Sequence, residues 1–175
     1  SCLTRAIPSL AERFTTYEDY ARATLADILT QPLLERARRF EMNTLESGVL
    51  LNDGAGRFHF RPLPRLAQIA PGFGVVVTDV DGDGNPDLYL VGNFFSPQAE
   101  TGRMDGGVSL LLKGKGDGTF DPVPPKESGL LVPGDAKSLA TADLNGDGLK
   151  EVIAGGINNG YGKGSAFVLD LRALS

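Results

Sequence analysis

The strongest constraint on this chain is a nine-residue pattern that occurs twice. Asp79-Val80-Asp81-Gly82-Asp83-Gly84-Asn85-Pro86-Asp87 carries carboxylates at its positions 1, 3, 5 and 9. Asp143-Leu144-Asn145-Gly146-Asp147-Gly148-Leu149-Lys150-Glu151 carries an oxygen-bearing side chain at the same four positions. Alternating hard oxygens of this kind suit Ca²⁺, which takes about six to eight of them, provided glycines let the backbone fold tightly around the ion. Gly82 and Gly84 in the first loop, and Gly146 and Gly148 in the second, meet that need. Position 7, Asn85 or Leu149, is expected to offer its backbone carbonyl whatever its side chain.

An EF-hand loop also begins with alternating aspartates, but it requires a bidentate glutamate at its twelfth position and a helix on each side. Position 12 here is Leu90 in the first loop and Ala154 in the second. The flanks Val75-Val76-Val77 and Leu88-Tyr89-Leu90-Val91 are short, β-rich apolar runs that read as strands. The loop therefore joins two strands.

On these residues the chain resembles the FG-GAP/VCBS repeat family, the calcium-loop blades of integrin α-chain propellers and of bacterial secreted proteins. Phe73-Gly74 stands before the first loop at the family's spacing. The family's second element, a turn ending in Asp-Gly-x-Gly-x-Phe, is matched by Asp53-Gly54-Ala55-Gly56-Arg57-Phe58 and, less regularly, by Gly116-Asp117-Gly118-Thr119-Phe120. Two departures stand out. Val91-Gly92-Asn93 replaces the family's Gly-Ala-Pro after the first loop, and Ser138-Leu139-Ala140 replaces Phe-Gly before the second. The resemblance implies a mainly β, partial β-propeller of about two to three antiparallel blades. It also implies two Ca²⁺ sites, an extracellular or cell-surface setting, and a protein or carbohydrate ligand.

The loops begin 64 residues apart, at Asp79 and Asp143, and the turn motifs end 62 residues apart, at Phe58 and Phe120. That repeat is one four-stranded blade long. Residues 46–62 are expected to close a partial blade, 72–122 to form a full one and 135–172 a truncated one, so that 46–175 is the blade region. Propellers close with about four to eight blades. The expectation is thus a carboxy-terminal fragment of a longer secreted protein, with upstream blades of the same polypeptide as neighbours.

Residues 1–45 differ in character and read as a short helical segment. Thr16 with Asp19 makes an N-cap, and Tyr20, Ala21, Leu25, Ile28 and Leu29 recur at helical spacing, predicting one helix over 17–29. Pro32 at a first helical position and the stripe Leu33, Leu34, Ala37 and Phe40 predict a second, to about residue 42.

The formal net charge of −5 is concentrated: the first loop alone holds −4, and two bound Ca²⁺ would leave −1. No basic stripe suggests nucleic acid, and no apolar run suggests membrane insertion. The loops also differ in charge. Four carboxylates against three, with Lys150 inside the second loop, predict that the first site is the tighter.

Catalytic constellations are lacking, so the expectation is a non-catalytic module for adhesion or scaffolding. His59, the single histidine, lies between two phenylalanines of a strand. Lys163 has glycine where a phosphate loop needs Ser or Thr, and Cys2 has no local histidine. Glu100, Arg103 and Asp105 form a polar group in a long connection between strands, either a solvated loop held by an internal ion pair or a ligand-contacting loop. The alternatives are the propeller of a polysaccharide-active enzyme, for which these three are the available groups, and a lectin using Tyr89, Phe94, Phe95 or Tyr161.

Overall fold

The computed structural model describes residues 5–147 and 150–156, together with the backbone of 165–170. Cys2, Leu149, Tyr161 and Lys163 lie outside the described residues. The chain divides into two compact units, Ser1–Thr44 and Leu45–Ser175.

The first unit holds short helices at Ser9–Arg13, Tyr17–Arg22, Leu25–Leu29 and Gln31–Arg36. Thr16 caps the second of these, its hydroxyl accepting from the Asp19 N–H at 3.1 Å. The single helix expected over 17–29 is broken at Ala23-Thr24, because Thr24 starts a new helix of its own. Its side chain and that of Asp27 form a reciprocal capping box. A cap residue takes extended backbone, and Thr24 sits at φ −77°, ψ 166°. The last helix ends at Arg36, short of the expected residue 42, where Ala37 turns extended and Arg36, Arg38 and Arg39 crowd like charge together. The helix Ser9–Arg13 was not expected; it follows Pro8 without a side-chain cap that would have announced it.

The second unit is built of antiparallel sheets. Strands β1 (Gly48–Asn52) and β2 (Phe58–Pro62) form a hairpin. Four strands, β3 (Gly72–Thr78), β4 (Asp87–Gly92), β5 (Leu110–Gly114) and β6 (Phe120–Val123), pair in sequence order, as do β7 (Ala136–Ala142), β8 (Glu151–Gly156) and β9 (Ser165–Asp170). Among the described residues no sheet closes into a barrel.

Strand alternation explains how the sheets stack. Successive side chains of β4 point to opposite faces. Leu88 and Leu90 join Leu110, Leu112 and Leu63 in one apolar cluster, with Val49 of β1 packed against it. Tyr89 and Val91 join Leu111, Val132, Ala136, Val152 and Ala154 in the other. Strands β4 and β5 are therefore covered on both faces, by the hairpin on one side and by β7–β8 on the other. Leu112 and Val152 are completely buried, each contributing about 1.5–3 kcal/mol from removal of its side chain from water.

The β3–β4 and β7–β8 pairs share one irregularity. The register shifts between Gly72 and Gly74 in the first and between Ala136 and Ser138 in the second, leaving Phe73 and Lys137 as the extra residues of two equivalent bulges. These two meet: the Lys137 ammonium lies 3.5 Å from the Phe73 ring centroid. The departure from Phe-Gly in the second repeat thus supplies a cation for the phenylalanine of the first. Gly74 has its own reason. A Cβ there would stand 3.1 Å from the Leu139 nitrogen and 2.9 Å from a Val91 methyl, so only glycine lets β3 run this close to β7.

Candidate metal centre

The first acidic loop joins β3 to β4, and its conformation follows from its own side chains. Asp79 Oδ1 and Oδ2 accept from the Gly82 and Gly84 N–H groups at 2.8 and 2.9 Å. Both glycines take left-handed backbone, φ 76° and 84°, which a side chain would resist. Asp83 Oδ1 accepts from the Asn85 N–H at 2.7 Å. Asp87, 1 % exposed, is held at both oxygens: Oδ2 accepts from the Val80 N–H at 2.9 Å and Oδ1 from the Gly114 N–H at 2.8 Å.

This scaffold draws Asp79, Asp81 and Asp87 together, so that one carboxylate oxygen from each lies within 4.8 Å of the others. Asp83 stands outside that trio, and Asn85 places its side chain toward Gly116 in the β5–β6 turn. Asp81 is steadied from outside the loop, its Oδ2 paired with the Lys113 ammonium of β5. Hydrogen bonding to Lys113 holds the Asp81 carboxyl below the ordinary range, while Asp81 in turn raises Lys113.

Among the described residues the second loop repeats three of these bonds. Asp143 Oδ1 accepts from the Gly146 N–H at 2.7 Å, Asn145 Oδ1 from the Asp147 N–H at 3.0 Å and Glu151 Oε2 from the Leu144 N–H at 2.7 Å. These match the bonds at Asp79, Asp81 and Asp87 in the first loop. The Asn145 Nδ2 also donates to Asp147 Oδ2 at 3.0 Å and to Glu151 Oε1 at 3.4 Å, gathering the ninth position toward the fifth. All the donors in both loops are hard oxygens, the set that suits Ca²⁺ rather than a softer metal.

The family's sequence pattern for FG-GAP-like repeats matches residues 43–90 and 101–154, more than half of the chain, and each match ends within the strand that follows an acidic loop. The chain belongs to the FG-GAP-like repeat family. No curated protein and no solved structure matches it significantly.

The rest of the FG-GAP-like unit holds its other expected groups apart from these loops. Arg103 Nε pairs with Asp105 Oδ2 at 2.9 Å, and the guanidinium stacks 3.7 Å over the Phe95 ring. Glu100, Arg103 and Asp105 are all exposed on the β4–β5 connection, at the end of the sheet opposite the acidic loop. Tyr89 is 1 % exposed and belongs to the core, which removes it as a sugar platform. His59 is exposed on β2, 4.0 Å from Asp53. Lys113 escaped the sequence reading because nothing local marks it: it lies outside the loop in sequence and reaches it only through the β4–β5 ladder. Among the described residues no helix is long and apolar enough to cross a membrane.

Proposed function

We propose that this chain is a calcium-stabilised, non-catalytic recognition module built of propeller blades, serving adhesion or scaffolding in an extracellular or cell-surface protein. The observation that carries the reading is the convergence of Asp79, Asp81 and Asp87 on one point, within a loop whose hydrogen-bond scheme recurs at 143–151. Asp79, Asp81, Asp83 and Asp87 with the Asn85 carbonyl would hold one Ca²⁺; Asp143, Asn145, Asp147 and Glu151 with the Leu149 carbonyl would hold the other. A bound ion supplies charge neutralisation at carboxylates that otherwise repel one another. The chain's own residues do the rest: the glycine N–H groups fix the aspartates, and Asp87 ties the loop to β5.

In this reading the helical segment is 1–45 and the blades are 46–62, 72–122 and 135–172. The exposed Val75 and Val77, 56 % and 62 % accessible, together with the open edge of β1, support a further pair of strands beside them. Upstream blades of the same polypeptide are the proposed cover. A protein or carbohydrate ligand would meet the β4–β5 connection carrying Glu100, Arg103 and Asp105, where contact leaves the metal end undisturbed.

Calorimetric titration of chelator-treated protein with Ca²⁺ tests the reading. Two binding events are expected, one of them lost in an Asp81→Ala, Asp83→Ala double variant, with a melting temperature that climbs as free Ca²⁺ rises. No heat and an unchanged melting curve would refute it.

A further inference from the structure

We propose that Lys113 is a resident competitor for the cation at the first acidic loop, an internal ammonium that Ca²⁺ has to displace from Asp81; the inference rests on the calcium reading above. The β4–β5 register places it there. Leu88 faces Leu112, and one residue further along each strand, toward the loop, stand Asp87 and Lys113. The end of β5 thereby touches two members of the carboxylate trio: the Lys113 ammonium pairs with Asp81, and the Gly114 N–H holds Asp87.

Asp81 is the member that needs such a partner. All four carboxylate oxygens of Asp79 and Asp87 accept from backbone N–H groups at 2.8–2.9 Å, whereas Asp81 has only a long bond at 3.3 Å from the Asp83 N–H to Oδ1. Its Oδ2 is taken by Lys113. An incoming dication thus meets a loop with one of its four charges already neutralised, and has to break an ion pair to recruit Asp81.

The second repeat has no lysine at the corresponding register position. Across β8–β9 the residue opposite Glu151, which occupies the position of Asp87, is Asp170. Counting loop charges alone ranks the first site tighter. Including the neighbouring strand narrows that advantage, since the Lys113 ammonium subtracts a negative charge from the first site.

The test compares the full chain with its Lys113→Met, Lys113→Arg and Lys115→Met variants. Lys115, paired with Asp121 at 2.8 Å, is the control for a lost surface lysine. Ca²⁺ occupancy of the first loop is followed through the Gly82 and Gly84 amide resonances, and stability is followed by melting in excess chelator. Lys113→Met is expected to tighten the first site about tenfold and to lower the melting temperature in chelator. Lys113→Arg and Lys115→Met should leave that affinity within about twofold of the parent. An affinity that stays the same or falls in Lys113→Met, with Ca²⁺ still binding the parent, would overturn the inference and leave the calcium reading standing. Gly82 and Gly84 resonances indifferent to Ca²⁺ in every variant would overturn both.

Discussion

Asp87 offers the sharpest test of how the acidic loop is held, because its structural part is separable from any metal. Its buried carboxylate closes two hydrogen bonds to backbone N–H groups on different elements, Val80 in the loop after β3 and Gly114 at the end of β5. A hydrogen bond to a charged group contributes about 1.5–3 kcal/mol net, and a buried donor left without an acceptor incurs its desolvation in full. Asp87→Ala removes both acceptors and is expected to cost about 3–5 kcal/mol. Asp87→Asn keeps one acceptor but turns an amide N–H against a backbone N–H, since both partners are donors, and is expected to cost about 2–3 kcal/mol. Urea unfolding in excess chelator reads this directly. With a slope of about 1–3 kcal/mol per molar, Asp87→Asn should lower the midpoint by about 1 M at unchanged slope. A midpoint within about 0.2 M of the parent would show that Asp87 holds the loop only through a bound ion, and the anchor between loop and β5 would have to be abandoned.

Two further predictions concern the frame around the loops. Gly74→Ala should destabilise the second unit by about 1–3 kcal/mol, because the added methyl meets the β7 backbone, which cannot yield as a side chain does; unfolding midpoints equal to the parent would show that β3 and β7 can part. Asp53 accepts from the Ala55 and Arg57 N–H groups, which lowers its carboxyl from the ordinary value of 3.8. A depressed carboxylate contributes stability that is fully present above the unfolded value and is lost as pH falls through the folded one. Amide exchange at Ala55 and Arg57 should therefore stay slow through pH 4 and quicken below it in the parent, with no such acid step in Asp53→Asn; a pH response shared by both proteins would contradict the assignment.

Much of this protein is local, and what is local was legible. Each acidic loop closes on itself: Asp79 binds Gly82 and Gly84, Asp143 binds Gly146, and the pattern of acids and glycines is the sequence form of those bonds. The Asp-Gly turns are equally self-contained, with Asp53 and Asp117 each accepting from an N–H two residues on. The continuous apolar run Leu88-Tyr89-Leu90-Val91 read as a strand, and the structure buries it on both faces. The helical segment was read less well, since a single periodic stripe cannot distinguish one helix from two when a capping threonine such as Thr24 falls within it. What tertiary structure alone decided are the partners that arrive from other strands. Lys113 reaches Asp81 through the β4–β5 ladder, Lys137 lies over Phe73 because two bulges face each other, and Gly74 is required by β7, more than sixty residues away. Sequence spacing fixes contacts made within a turn, whereas contacts across strands depend on register, and register is set only when the sheets pair and their apolar faces are buried.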